Sequence, residues 1–536
     1  MVRSDDPGPV EARPRVGAAI RSEGQEASAP DFPGGPMSPA KDPGWWQRLD
    51  PLVLVVGVTA LVLYTLHGFD GLLKRDSAIY TYAGQQVFDG VPPYVGVLNR
   101  VGPLAHILPG LGVAGARVAG IDDLLGVRAL FMILAVGAVC LAYIVGRDMF
   151  ASKLAGLASA TALFSFYGFI KYATYGPKEK TAMVLFLLLS LHALVKRRWL
   201  FAGIGMSLAT LVWQPVLLVA VIAAISSSFG LERSDRLHAL GRFAVGGLTT
   251  LAIFVIYFIT VGAWTEFLDS FLVINARYTV PAPLLSRVGE NWTAMKIGYG
   301  LTLWVLIAGW VGVGILSVRA LVRQGVRGWF RDPIVWVGAA TLVGLAWTVR
   351  DFNHWPDAFV LLPMGALGIG GIAKWLTERL PPSAAVPLVL SAVVAGTVIG
   401  GVYSATRLNR RLPKQRAAVA AMLEQLPPET SILSIGAPEP LVLSGKVNPT
   451  RYQTFTRGLD RYMDETWPGG LRGFGEWVAR EQPTVISLDK EQVPWWLRET
   501  LDEGYVLAGT APGWTWYVHR SAVPEEGLRH RRPSRR

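Results

Sequence analysis

The strongest constraint in this 536-residue sequence is a succession of long apolar blocks separated by short polar stretches. A helix rises ~1.5 Å per residue, so about 20 apolar residues cross the ~30 Å core of a bilayer. Hydrophobic residues make up 51% of the chain and charged ones only 17%, well under the ~25% usual for soluble domains. The chain reads as a polytopic membrane protein.

Loop charge orients the blocks. There are 51 Lys and Arg against 39 Asp and Glu, a net charge of +12. Basic loops mark the cytoplasmic side, so this excess points to membrane topology and not to nucleic acid. Segment 103–120 is apolar but broken by Pro109 and several glycines. If it does not cross, the spans are 51–69, 128–146, 155–172, 181–195, a double-back within 199–227 near Gln214-Pro215, 243–262, 298–318, 334–349, 357–373 and 383–403. Nearly every basic cluster, from Arg147 and Lys153 to Arg319–Arg331, then faces the cytoplasm together with the N-terminus. The expected fold class is an α-helical polytopic membrane protein of about eleven transmembrane helices with a C-terminal extracytoplasmic α/β domain.

The expected domains are a disordered cytoplasmic tail 1–44, a transmembrane region 45–404 opening on interfacial Trp45 and Trp46 with a first outer loop 70–127, a soluble α/β domain 405–520, and a disordered basic tail 521–536. In the soluble region, Val419, Met422, Leu423 and Leu426 recur at helical spacing. Residues 431–436, 484–489 and 514–519 read as strands, and 471–481 and 493–503 as helices. Helices alternating with strands give a small α/β domain. The single cysteine, Cys140, rules out an internal disulfide and a cysteine-based metal site.

The stretch from Arg75 to Pro103 is too polar to span. It contains a short amphipathic helix over 76–89, a Gly-Val-Pro-Pro-Tyr turn and an isolated Arg100. A carboxylate such as Asp76, held within hydrogen-bond reach of an acceptor hydroxyl, suits a general base. Taken alone, Asp-Ser-Ala-Ile is also an ordinary helix start.

The order of motifs resembles a known class. A first span is followed by Arg-Asp-Ser-Ala-x-Tyr (75–80), Asp-Gly-Val-Pro-Pro-Tyr (89–94) and Arg-Val-Gly-Pro-Leu (100–104). This resembles the first outer loop of GT-C glycosyltransferases, polytopic enzymes that use polyprenyl-phosphate-linked sugars. Val-Asn-Pro-Thr-Arg-Tyr (447–452) and Thr-Trp-Pro-Gly-Gly-Leu (466–471) are most similar to archaeal dolichol-phosphate-mannose mannosyltransferase-type proteins. The resemblance implies a GT-C-like fold and transfer of a sugar, mannose by this likeness, with inversion. Its partners would be a polyprenyl-phosphate-linked donor, a glycan, lipid or protein acceptor, and membrane lipids. It implies Asp76 as the base.

Lys178 and Lys180 would lie on the outer face against the charge trend, as expected of groups that hold a departing phosphate. Arg100 has a similar case. Glu179, wedged between the lysines, and His106, Asp351, Asn353, His354 and Asp357 are candidate substrate contacts. No cofactor is expected, and no ligand set at metal-binding spacing appears. Lipid-headgroup contacts and solvated turns explain several of these residues equally well, His106 being more simply a packed histidine. The alternative function is a lipid or polysaccharide transporter or assembly protein of the cell envelope, but ionisable groups within the spans, which transporters need, are scarce.

Overall fold

The computed structural model describes residues 50–490 and 493–523. The expected tail 1–44, Trp45 and Trp46, and all of the tail 521–536 beyond residue 523 lie outside the described residues.

The chain begins with α1 (Pro51–His67), capped by the Asp50 carboxylate on the Leu52 N–H. Next come α2 (Arg75–Phe88), α3 (Leu104–Ala119), α4 (Asp123–Phe150), α5 (Lys153–Ser165), α6 (Tyr167–Thr174), α7 (Glu179–Val195), α8 (Trp199–Thr210), α9 (Val216–Ser228) and α10 (Arg233–Thr260). A short α11 (Trp264–Leu268) runs into a π-helical stretch Asp269–Tyr278, followed by α12 (Val288–Tyr299). Four long helices complete the bundle: α13 (Thr302–Trp329), bent at Gly325, α14 (Pro333–Arg350), α15 (Leu362–Arg379) and α16 (Pro382–Thr406). Among the described residues six helical segments are long and apolar enough to cross a membrane, or seven if α5 and α6, bent by 65° at Phe166, form one broken span. The other expected spans correspond to shorter helices: α1 and α7 have 17 residues, α8 has 12 and α9 has 13. At ~1.5 Å per residue α8 and α9 cover only about 20 Å. The Trp213–Gln214 turn between them is bonded to residues 100–104, which lead into α3.

Hydrogen bonds fix which ends lie together. Asp50, before α1, accepts from Tyr143 (2.7 Å) and Arg147 near the far end of α4. Arg128, near the start of α4, donates to the carbonyls of Phe69 and Gly71, just beyond α1. α1 and α4 are thus antiparallel, and α2 and α3 stay at one end. Leu104 N–H bonds the Leu211 carbonyl at the end of α8, and Asp122, after α3, pairs with Arg416 of the soluble domain. Segment 103–120 therefore returns to the end it left. The opposite end gathers basic groups: Asp148 holds Arg147 and Lys196 (both 2.7 Å), Arg197 reaches Ser227, and Glu378 pairs with Arg323 and Lys374.

The C-terminal domain opens with α17 (Leu412–Glu424) and carries α18 (Glu439–Ser444), α19 (Leu459–Thr466), α20 (Gly470–Glu481) and α21 (Arg498–Gly504). Its sheet has the order β1-β2-β4-β3, with β1 (Ile432–Ile435) parallel to β2 (Val485–Asp489), and β4 (Trp514–His519) antiparallel to both β2 and β3 (Tyr505–Ala511). β1 is buried throughout, as expected of a strand covered on both faces, whereas β4 alternates. β3 escaped the sequence reading because its Ala-Gly-Thr segment carries little strand signal and bulges at Leu507–Gly509.

The domain is bonded onto the segment between α1 and α4. The Gln415 amide accepts from Leu73 N–H and donates to the Leu73 carbonyl (both 2.9 Å). The Asn448 N–H donates to the Tyr82 hydroxyl (2.9 Å), and Leu98 N–H to the Arg451 carbonyl (2.7 Å). The motif at 447–452 thus docks the domain.

Between spanning helices, lipid tails are as apolar as side chains, so association depends on close packing. α13 and α15 meet through glycines: a Cβ at Gly368 would lie 1.9 Å from the Gly309 carbonyl oxygen. Gly368→Val is expected to destabilise the bundle by at least the ~1–3 kcal/mol of core overpacking. It should lower the thermal unfolding midpoint in detergent, whereas Gly115→Ala, with nothing within 4 Å of the new Cβ, should not.

Candidate active site

Two loops meet at the domain end: residues 68–74 after α1 and residues 175–178 before α7. Arg128 ties them together. It is fully buried and donates to Gly176 (3.1 Å) as well as to Phe69 and Gly71. Gly71 is required here, because any Cβ would fall 2.2 Å from the Tyr175 ring. This junction brings Asp76, in the first turn of α2, beside Lys178, which precedes α7.

The result is a row of alternating charges. Asp76 Oδ2 lies 2.9 Å from Lys178 Nζ. Glu179 sits between Lys178 and Lys180, 3.3 Å from each. Lys180 Nζ is 2.8 Å from Asp357 Oδ1, whose other oxygen accepts from the Asn353 N–H (2.7 Å). Lys178, Glu179, Lys180 and Asp357 are all buried. Buried ions persist when each is paired on both sides. Lys178 and Lys180 also lie over the rings of Tyr80 (5.7 Å) and Trp213 (5.0 Å).

Asp76 differs from the rest of the row. Protein surrounds it on most sides, yet its side chain is 54% exposed, so it lines a recess open to solvent. Lys178 occupies Oδ2. Among the described residues Oδ1 makes no hydrogen bond, and Arg75 Nε lies 3.9 Å from it. The Lys178 charge holds the Asp76 carboxyl well below the usual carboxylate range, outweighing burial. Burial works against the Lys178 ammonium, but Asp76 and Glu179 overcome it and keep Lys178 firmly protonated.

Two lysines that the sequence reading did not single out complete the site. Lys74 is exposed one residue before α2, and Lys171 is half-buried on the bent α6, 5.5 Å over the Trp355 ring. Neither has a carboxylate within ion-pair distance among the described residues. Both charges are felt at His354, whose pKa burial lowers first and the charges of Lys74, Lys171 and Lys178 lower further, against the pull of Asp357. A signal for Lys171 was present: it is an isolated cation at the end of an apolar block.

The other expected contacts separate. Arg100 is held by its carbonyl, which accepts from Gln214 (2.9 Å) and Asn275 (2.7 Å). Its guanidinium donates to Thr279 and to the Arg457 carbonyl and meets no carboxylate. Asp351 accepts from the Ala282 N–H (3.0 Å) and so ties two loops together. Asn353 and His354 line a cavity of about 1130 Å³ between residues 280–297 and residues 457–461 of the soluble domain. His106 is buried against the Tyr94 ring, with neither ring nitrogen partnered and its pKa pushed down to about 3 by burial; it packs the loop core. Among the described residues no group of three His, Cys, Asp or Glu side chains is placed to hold a metal ion.

No protein-family model matches the sequence, nor does any curated protein. Solved structures do match. ArnT from Cupriavidus metallidurans bound to undecaprenyl phosphate aligns with a TM-score of 0.61 at 12% identity, over 88% of this chain and 99% of that one. The fold is that of ArnT. The archaeal oligosaccharyltransferase AglB from Archaeoglobus fulgidus, in complex with an inhibitory peptide and a dolichol-phosphate, gives 0.55 at 12% identity over 90% and 75% of the two chains. The apo form of the Archaeoglobus fulgidus oligosaccharyltransferase gives 0.55 at 14% identity. This protein is therefore an integral, multi-pass helical membrane protein with a small C-terminal mixed sheet, as those are.

Because Asp76 has a native pKa below its ordinary 3.8, its pairing stabilises the fold fully above that value and is lost as pH falls through the native pKa. The stability difference between wild type and Asp76→Asn should be largest near neutral pH and shrink below about pH 4. Thermal unfolding of both proteins across pH 3–7 (about that range, set by carboxylate titration) checks this.

Proposed function

We propose that this protein is a membrane glycosyltransferase that moves a sugar from a polyprenyl phosphate to an acceptor hydroxyl at the extracytoplasmic face, with inversion. The observation that carries the reading is the charge balance around Asp76. Three carboxylates and two ammonium groups in the row leave one excess negative charge. Lys74 and Lys171 turn this into one excess positive charge. A single phosphodiester anion, the charge of a polyprenyl-phosphoryl sugar, cancels it. The phosphate then lies beside His354, within reach of a base whose free oxygen faces the recess.

The chemistry follows from that placement. Asp76 Oδ1 takes the proton of the acceptor hydroxyl as its oxygen bonds to the anomeric carbon. The bond from that carbon to the phosphate oxygen breaks, and the electron pair leaves with the phosphate. The phosphate gains negative charge in this step, and fixed cations stabilise developing charge most in a water-poor site. Lys178 keeps Asp76 ionised and oriented. Lys180 and Glu179 carry the row on to Asp357. Attack from the side opposite the phosphate inverts the anomeric centre.

The 1130 Å³ cavity bordered by Asn353 and His354 is the path for a glycan, lipid or protein acceptor, with Arg100 bonded to the carbonyl of Arg457 in its lining. The basic end of the bundle would face the cytoplasm, which puts this site and the C-terminal domain outside. ArnT, whose fold this chain shares, binds undecaprenyl phosphate. Mannose is the sugar favoured by the motifs at 447–452 and 466–471.

The test is release of undecaprenyl phosphate from undecaprenyl-phosphoryl mannose by the purified full chain in detergent, with an alkyl glycoside added as acceptor hydroxyl. Wild type should turn over. Asp76→Asn should lose on the order of 10²–10⁴-fold in kcat, the usual worth of a general base. Lys171→Ala should mainly raise the KM for donor. An Asp76→Asn protein that is folded and near wild-type activity would exclude the base.

A further inference from the structure

The C-terminal domain reaches the neighbour of the candidate base through an ion pair. Arg75 Nη1 lies 3.0 Å from Asp489 Oδ2, at the end of β2. The same guanidinium has its Nε 3.9 Å from Asp76 Oδ1, too far for a hydrogen bond. Arg75 therefore stands between two carboxylates and is bonded to the one in the domain. Asp489 is fixed in turn. It closes the β2 register against Trp514, and its Cβ packs on Gly436, whose φ of 75° and lack of a side chain allow the approach.

A third carboxyl lies nearby and does not compete. Glu439 is buried, and its Oε2 has no hydrogen-bond partner among the described residues. Burial first, then the neighbouring Asp489 charge, lift its pKa to about 8, so it is mostly neutral at neutral pH. Arg75 is thus left with one ionised partner in the domain.

If Asp489 loses its charge, the nearest remaining carboxylate to Arg75 is Asp76. A shift of about 1 Å would make a charge-assisted hydrogen bond to Oδ1. That bond would occupy the oxygen that receives the proton and lower its proton affinity.

We propose that Asp489 is a positioning residue for catalysis: it holds Arg75 off the free oxygen of Asp76, so the C-terminal domain is part of the active site and not only a cap above it. This rests on the reading of Asp76 as general base.

The experiment is a double-mutant cycle in the full-length protein with undecaprenyl-phosphoryl mannose. Asp489→Asn should lower kcat roughly 10- to 100-fold with the donor KM little changed, the order expected when a general base is partly blocked. Arg75→Gln should cost less, and adding it to Asp489→Asn should restore activity to the Arg75→Gln level. Losses that simply accumulate in the double variant, or an Asp489→Asn protein at wild-type kcat, would overturn the proposal. Hydrogen–deuterium exchange guards against misfolding. The amides of β1 and β2 should exchange in Asp489→Asn as in wild type, and faster exchange would mean that the substitution only undocks the domain and that the proposal fails. Asp76→Asn separates the two ideas: if it is active, the base assignment is wrong; if it is dead and the cycle shows no rescue, only the role of Asp489 is wrong.

Discussion

The structure depends on one row of ion pairs, Asp76–Lys178–Glu179–Lys180–Asp357, running from the helix after the first span to the start of the segment that leads into α15. Four of its five members are buried, and each charge is costly there unless opposite charges flank it. The alternation meets that requirement internally. It also fixes the geometry: Lys178, Glu179 and Lys180 are consecutive, so the two lysines can reach Asp76 and Asp357 only if α2 and the 355–361 turn are held on either side of α7. A row of charges that stabilises nothing unless complete is a strong determinant of how three distant segments assemble.

The surrounding fold makes that row possible. Arg128 spends all its hydrogen bonds on backbone carbonyls from two loops, so the loops converge without a carboxylate. The 65° bend at Phe166 turns Lys171 toward the site instead of letting α5 continue straight. The turn between the short helices α8 and α9 places Gln214 where its amide fixes the Arg100 carbonyl. The C-terminal domain is held beside the site by Gln415, Asn448 and Asp489, each bonded to the segment between α1 and α4.

Much of the architecture was legible in sequence because apolar block length and loop charge are local signals. The loop helix, the turn at Gln214-Pro215 and three of the four strands fall where periodicity and turn residues put them. Asp76, Lys178, Glu179 and Lys180 were found from motif order and from cations placed against the charge trend, and the structure brings them together. Their partners were not legible. Nothing local in Asp357 marks it as the end of an ion-pair row, and Lys74 and Lys171 stand out only once it is clear that the other lysines are already paired. His106, a candidate contact more simply read as a packed histidine, lies against the Tyr94 ring. Pairing across about a hundred residues or more is set by tertiary contact, which single-sequence patterns do not carry.

In the proposed mechanism the unpaired cations, and not the paired ones, mark where the phosphate binds. The most direct measurement is a structure of the protein with undecaprenyl phosphate bound. Phosphate density between the Lys74 and Lys171 ammonium groups and next to His354, with the Asp76–Lys178 pair intact, is the predicted result. A phosphate bound to Lys178 or Lys180 with Asp76 displaced, or one at Arg100 and remote from Asp76, would contradict it.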